Sequence, residues 1–323
     1  MKVAAIVPHW NRRALLQTLL ENLSAQIRGF DEVIVVDNGS TDGSPELAER
    51  AGARVVRLSR NAGFAAAVNR GIESCAADWV AILNNDVTLA SDWLDLLLAA
   101  EPEWFATGKL LRAADHSVID GTFDEISRAA CACRCGAGKP DSTLWNQARQ
   151  IRFAPMTAAL FRRALFDDIG LLDETFGSYL EDVDFGLRCA LAGRSGLYVP
   201  TARGYHRGSS TLGEWNSDTV RHIARNQVLL AAKHFRGQPL WPILAGQLLW
   251  GLLALRHTQA SSYLLGKLSG LRAARALRRE RRPDLKETKR LQAIFEASER
   301  QIFELERQAG SDWYWRAYFW LLR

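Results

Sequence analysis

The sequence predicts an α/β protein with a Rossmann-like, mostly parallel sheet flanked by helices and followed by a helical C-terminal appendage. Three observations carry that reading. Near-continuous apolar runs recur at residues 3–7, 33–36, 55–58 and 79–83, and strands that do not alternate are the kind buried on both faces. Between them apolar residues repeat at helical spacing, so strand and helix alternate along the chain as in βαβ units. The 323 residues are 48% hydrophobic and 24% charged, which is ample for a packed core and excludes disordered, collagenous and multi-span membrane classes.

Taken in order, residues 3–7 form the first strand, and Leu15, Leu16, Leu19, Leu20, Leu23 and Ile27 mark one face of the first helix. A second strand at 33–36 leads to Ser44, expected to cap a helix that begins at Pro45 with Glu46 in its first turn. The third strand (55–58), a helix over 65–74, the fourth strand (79–83) and a helix capped by Ser91 and carrying Leu94, Leu97 and Leu98 complete the first hundred residues. Residues 106–152 show little periodicity and are expected to be irregular. A strand is expected at 157–161, a helix at 182–192, and short strands or extended turns at 196–199 and 202–206.

The charge is uneven. Residues 256–323 hold 15 Lys and Arg against 8 Asp and Glu, whereas the first 255 carry 26 against 28. The chain therefore divides into an expected catalytic domain over 1–235 and a basic, Trp-rich helical region over 236–323. The apolar run after Lys2 is too short for a secretory leader, so a cytoplasmic protein is expected. Cys75 and Cys189 fall in helical patterns and are expected as buried thiols. Cys131, Cys133 and Cys135 lack the C-x-x-C pairs or neighbouring His of a structural zinc site.

Ligands of such sheets bind beyond the carboxyl ends of the strands. Those ends read Pro8-His9-Trp10-Asn11, Asp37-Asn38-Gly39-Ser40-Thr41-Asp42-Gly43-Ser44, Arg60-Asn61-Ala62-Gly63-Phe64 and Asn84-Asn85-Asp86. The chain has no G-x-G-x-x-G after the first strand, no G-x-x-x-x-G-K-[ST] and no G-x-S-x-G, which disfavours dinucleotide oxidoreductases and excludes P-loop NTPases and nucleophile-elbow hydrolases. A crevice lined with Asp, Asn and Gly suits a diphosphate bridged by a divalent cation better than a bare anion, because carboxylates repel phosphate.

The segments VVDNGSTDGS, NAGFAAAVNRGI and LNNDV, followed by FGSYLEDVDFGLRCALAGRSGLYVPTARGYHRGSS, resemble family 2 inverting glycosyltransferases of the GT-A fold, and within them the bacterial rhamnosyltransferase-type enzymes of cell-surface polysaccharide synthesis. The resemblance covers residues 1–235. It implies that Pro8, Asn11, Asp37, Gly39, Asn61, Gly63, Arg70, Asn84 and Asn85 bind the nucleotide sugar. Asp86 stands where the family places the last carboxylate of its D-x-D motif, and with His206 it would hold Mg²⁺ or Mn²⁺; Asn84 departs from the pattern. Asp182 is implied as general base, with Glu181 and Asp184 positioning it or the acceptor. Ordinary structural roles stand beside several of these. Asp37 also suits an Asx turn, Arg70 an exposed helix surface, Asp86 a loop start, and the acidic cluster a helix N-cap.

The implied reaction is one inverting displacement from a nucleoside-diphosphate sugar, such as dTDP-rhamnose or a UDP-sugar, onto a hydroxyl of a glycan or lipid-linked glycan. The alternative is a transferase-like protein that binds a nucleotide sugar or glycan without turnover. A sugar nucleotidyltransferase would want a Gly-rich basic loop after strand one, which this chain lacks. In the tail, residues 237–255 are uncharged but rich in Pro and Gly, 267–290 hold 10 basic and 3 acidic residues, and 313–323 concentrate aromatics. These suggest peripheral attachment to an anionic membrane surface at the inner face of the cytoplasmic membrane, with core packing or a homodimer as the alternative. No nucleic-acid-binding motif accompanies the basic run.

Overall fold

The computed structural model describes residues 1–208, 215–277 and 284–322. In chain order the elements are β1 (Val3–His9), α1 (Arg13–Ser24), β2 (Glu32–Asp37), α2 (Ser44–Arg50), β3 (Arg54–Arg57), α3 (Phe64–Glu73), β4 (Trp79–Leu83), β5 (Val87–Leu89) and α4 (Trp93–Ala99). Next come β6 (Phe105–Arg112), β7 (Asp115–Gly121), β8 (Asp124–Ile126), β9 (Ala132–Arg134), β10 (Arg149–Ile151), β11 (Ala158–Arg162), α5 (Arg163–Ile169), α6 (Glu181–Leu191) and β12 (Gly196–His206). Five helices follow: α7 (Ser217–His234), α8 (Leu240–Arg256), α9 (Ala260–Leu277), α10 (Leu285–Ala309) and α11 (Trp313–Leu321).

The chain forms two compact units, one from Met1–Phe123 with Gly136–Gly208, the other from Asp124–Cys135 with the chain after residue 208. The division expected at residue 235 thus lies earlier, because α7 packs along α9, and β8 against α10.

In the first unit the sheet order is β10-β12-β6-β11-β4-β1-β2-β3, with β5 added to β12 and β7 to β6. β1 runs parallel to β2 and β4, β2 to β3, and β12 to β6; β11 is antiparallel to both β4 and β6. The ends of β1, β2, β3, β4, β6 and β12 consequently share one edge. Side-chain alternation assigns the layers. Ala5, Val7, Val35, Ala81 and Leu83 pack with Leu16, Leu19 and Leu23 of α1 and Trp93, Leu94 and Leu97 of α4. On the other face α3 lies so close that a Cβ on Gly71 would meet Ile6 and Val36.

The irregular stretch expected at 106–152 is instead sheet. β6 is buried between β12 and β11, and β7, β8, β9 and β10 also fall there. Lys109 hides the signal. This lysine stands within the FATGKLLR run, is 0% exposed, is neutralised by Asp141 at 2.6 Å and donates to the amide oxygen of Asn146. An unpaired buried ammonium would be prohibitive, and its partner lies 32 residues further on. The two short extended pieces expected at 196–199 and 202–206 are one strand, β12, whose register against β6 shifts between Val199 and Arg203. Helix starts also move: Gly43, not Ser44, precedes α2, and Asp92, not Ser91, precedes α4.

In the second unit α9 turns Ser262, Gly266, Gly270 and Ala274 toward α7, every fourth residue being small. A Cβ on Gly266 would meet the Arg221 carbonyl oxygen at 2.4 Å. The same unit buries a polar knot in which Lys267 Nζ donates to Gln227 Oε1 (2.8 Å) and to Gln247 Oε1. Burial pulls Lys267 down to about 8 and pushes the Cys131 thiol up to about 11. All five cysteines are buried free thiols. Part of the aromatic C-terminal stretch is core: Tyr314, Trp315 and Tyr318 are buried, while Trp320 is 74% exposed. Ser209 and Ser210 of the last resembling segment, and residues 278–283 of the basic run, lie outside the described residues.

Candidate active site

The polar strand ends converge because the sheet is parallel where they occur. At the end of β1, Asn11 and Arg12 are both left-handed, with φ of 54° and 66°, and Asn11 grips the following loop: its N–H donates to Ser40 Oγ (2.7 Å) and its Oδ1 accepts from Thr41 N–H (3.0 Å). Pro8 sits in β1 opposite Val36. Asp37, buried at the end of β2, accepts the Ser40 N–H at 3.2 and 3.3 Å, which is the Asx-type turn weighed above. Gly39 lets this loop close on the next one, since a Cβ there would lie 2.8 Å from Arg60 Cα.

Asn38, one of the polar residues at the end of β2, organises the neighbouring loop. Its amide donates to Asn61 Oδ1 and the Gly63 carbonyl, each at 3.1 Å, and its oxygen accepts from Ala62 N–H at 2.8 Å. Gly63 (φ +93°) in turn abuts Gly177, where a Cβ would come within 2.9 Å of the carbonyl oxygen. Ala65 N–H donates to that oxygen at 2.9 Å and Phe64 N–H to Ser178 Oγ at 3.1 Å. The loop that introduces the acidic cluster is therefore fastened to the start of α3. Asn69, unassigned from sequence, reinforces this by pairing with both the N–H and the C=O of Leu172. Arg70 is half exposed and paired with Glu73 (2.7 Å) and Glu174 (3.9 Å), in keeping with the helix-surface alternative.

The acidic cluster opens α6. Tyr179 and Leu180 precede it with φ of 72° and 67°, a pair of left-handed non-glycine residues of the kind that concentrates at functional sites. Asp182 is half-buried and its Oδ1 accepts its neighbour Val183 N–H at 2.9 Å. Glu181 is buried; Asp184 is fully buried and paired at 3.0 Å with Arg188, which also donates to the carbonyls of Ile169 and Leu171. Asp184 thus ties the helix to the segment before it.

The Asn84-Asn85-Asp86 turn follows β4, with the Asn84 N–H donating to the Thr157 carbonyl at 2.9 Å. Asn85 Nδ2 lies 2.8 Å from His9 Nδ1. With the amide donating, Nε2 of His9 carries the proton, and that atom is buried without a partner among the described residues. Burial is the main reason His9 is held down at about 4, against opposing pulls from Asp42 and Asp37. The antiparallel β5–β12 pairing places His206 opposite Val87 and so beside Asp86, with Nε2 3.1 Å from Asp86 Oδ1 and Nδ1 2.8 Å from Asp120 Oδ2. Burial alone would lower His206, but hydrogen bonds to Asp120 and Asp86 raise it to about 9. Asp120 was not legible in the sequence, because it lies inside the stretch read as irregular. A cavity of about 210 Å³ adjoins this group, lined among others by Leu15, Asn85, Asp86, His116 and Tyr205.

Among the described residues no three His, Cys, Asp or Glu side chains enclose a cation by themselves. Asp86 and His206, a carboxylate and an imidazole 3.1 Å apart at the strand ends, are the pair that could hold one. Asp120 behind the imidazole is the outer carboxylate that typically fixes a ligating histidine's tautomer.

Comparison with known proteins places the chain. The glycosyl transferase family 2 profile matches residues 4–170. An N-acetylglucosaminyl-diphospho-decaprenol L-rhamnosyltransferase of Mycobacterium tuberculosis is 31% identical over 299 residues, covering 84% of this chain and 92% of that protein. Among solved structures, a Pyrobaculum calidifontis mannosyltransferase in complex with GDP-Man and Mn²⁺ aligns over 98% of this chain and 85% of its own (TM-score 0.53, 19% identity). GalNAc-T7 with UDP, GalNAc and Mn²⁺ aligns over 84% of this chain and 55% of its own (TM-score 0.60, 14% identity). The fold is therefore GT-A, and by profile and sequence identity alike this chain belongs to glycosyl transferase family 2 and is a glycosyltransferase.

Proposed function

We propose that the protein transfers a sugar, with inversion, from a nucleoside-diphosphate donor to a hydroxyl of a lipid-diphosphate-linked glycan in cell-surface polysaccharide synthesis. L-Rhamnose from dTDP-rhamnose is the favoured donor and polyprenyl-diphosphate-linked N-acetylglucosamine the favoured acceptor, on the strength of the likeness to the mycobacterial rhamnosyltransferase. The observation that carries the reading is the pairing of His206 Nε2 with Asp86 Oδ1 at 3.1 Å at the carboxyl edge of the sheet, backed by Asp120.

Asp86 and His206 are the residues that would hold Mg²⁺ or Mn²⁺, which supplies charge neutralisation for the departing diphosphate. Pro8, Asn11, Asp37, Gly39, Asn61, Gly63, Asn84 and Asn85 shape the nucleotide side of the crevice, with the turn hydrogen bonds keeping the loops preorganised. The buried, proton-bearing His9 Nε2 is a donor available to the ligand. Asp182, at the positive end of the α6 dipole and only half-buried, accepts the proton of the acceptor hydroxyl as that oxygen attacks the anomeric carbon. Glu181 backs Asp182, and Asp184 sets the helix orientation through Arg188.

The test is transfer from dTDP-rhamnose to a short-chain polyprenyl-diphosphate N-acetylglucosamine analogue with Mn²⁺. Asp182→Asn should lose about 10²- to 10⁴-fold in turnover, the usual contribution of a positioned base, while still binding donor. Unchanged turnover in that variant would remove Asp182 from the role.

A further inference from the structure

Two helices of the second unit expose apolar side chains that a water-facing surface does not call for. On α8, Leu240, Trp241, Leu244, Leu248, Leu252 and Leu255 are 45–69% exposed, and at 100° per residue they fall on one stripe. Pro242, Ala245, Gly246 and Leu249, on the opposite side, are buried. On α9, Leu264, Leu265, Leu268 and Leu271 are 51–59% exposed, on the side away from the small residues that meet α7. The helices lie side by side: the Tyr263 ring stacks on Trp250 at 5.6 Å, and its hydroxyl donates to the Gln247 carbonyl at 2.6 Å. Leucines and a tryptophan thus form adjoining stripes, a patch of the kind that marks an interaction site rather than scattered exposure.

Charge selects the occupant. From residue 237 to residue 279 there is no Asp or Glu, and the exposed side chains Arg256, Arg272 and Arg275 accompany the leucines. A second copy of the chain docking here would set arginine against arginine. A surface of anionic headgroups over hydrocarbon satisfies both the leucines and the arginines. Among the described residues no helix is long and apolar enough to cross a membrane. We propose that the outer faces of α8 and α9 form a docking surface on which the protein rests on an anionic lipid bilayer, with Leu and Trp side chains entering the headgroup boundary and the arginines meeting lipid phosphates.

Flotation of the full chain with phosphatidylcholine–phosphatidylglycerol vesicles, compared with phosphatidylcholine vesicles, tests this directly. The expected result is recovery with the anionic vesicles and at least ~10-fold weaker recovery for Leu244→Glu/Leu248→Glu. Arg272→Gln/Arg275→Gln should flatten the preference for anionic lipid while leaving residual apolar binding. Circular dichroism melts matching the parent establish that the variants are folded; Leu268→Glu provides a second lesion on α9 should the double variant fail to fold. A parent chain that floats with neither vesicle, variants that float as the parent does, or a dimer that dissociates on Leu244→Glu/Leu248→Glu without vesicle binding would each overturn the proposal.

Discussion

Two buried histidines give the first unit opposing pH dependences, and replacing one exposes the other. His9 is held at about 4 by burial, below its free value of 6.5, so the unfolded chain binds the extra proton and the stability owed to the neutral ring is lost as pH falls from about 6.5 toward 4. At about 1.36 kcal/mol per unit, acidifying from about pH 7.5 to about pH 5 removes roughly 2 kcal/mol through His9. His206 runs the other way. Raised to about 9 by Asp120 and Asp86 over the opposing effect of burial, it contributes stability that is complete below its free value and lost as pH rises through 9. Over the same acidification it therefore returns roughly 1.5 kcal/mol. The parent protein, in chelating buffer, should change by only ~0.5 kcal/mol from these two groups. His9→Gln, which keeps an acceptor for Asn85 but cannot titrate, should become more stable in acid, by roughly 2 kcal/mol relative to the parent's own pH response. Urea unfolding at the two pH values measures the difference. Identical pH responses for parent and His9→Gln would refute the claim that burial keeps this imidazole neutral.

Three further outcomes follow from particular contacts. Asp120→Asn should weaken Mn²⁺ binding about 10- to 100-fold by calorimetry, the usual cost of losing a ligand's outer carboxylate; unaltered affinity would separate Asp120 from the cation site. Gly266→Ala should destabilise the protein despite a helix-propensity gain of ~1 kcal/mol, because its methyl would meet the Arg221 carbonyl at 2.4 Å and overpacking costs about 1–3 kcal/mol; a raised melting temperature would mean that α7 and α9 are not so closely set. Lys109→Met should cost about 3–5 kcal/mol by leaving Asp141 without its partner. Adding Asp141→Leu should recover much of that loss, and equal stability of single and double variants would dismiss the pairing as their link.

What could be read from the sequence was whatever rests on local periodicity. The four apolar runs and the helices between them stand where expected, apart from their caps and from Ile27, which lies beyond the end of α1 and is exposed, because a strand buried on both faces and an amphipathic helix each write their environment into contiguous residues. The polar ends of those strands were legible for the same reason, and with them Asn11, Asp37, Asn61, Asn85 and Asp86 at the edge of the sheet. The sequence could not by itself disclose residues whose meaning depends on a distant partner. β6 was hidden because Lys109 breaks its apolar run, and only Asp141 and Asn146, brought in by the fold, make that charge tolerable. Asp120 acquires significance only when β7 pairs with β6 and the β5–β12 register sets His206 beside Asp86. Likewise Asn38 and Asn69 are ordinary polar residues until they clasp loops that are far apart in the chain. Tertiary structure also decided which apolar residues of the tail are core and which are surface. Trp315 and Tyr318 point inward while Leu244 and Leu248 point out, a distinction hydrophobicity cannot make because it depends on which face finds a neighbour.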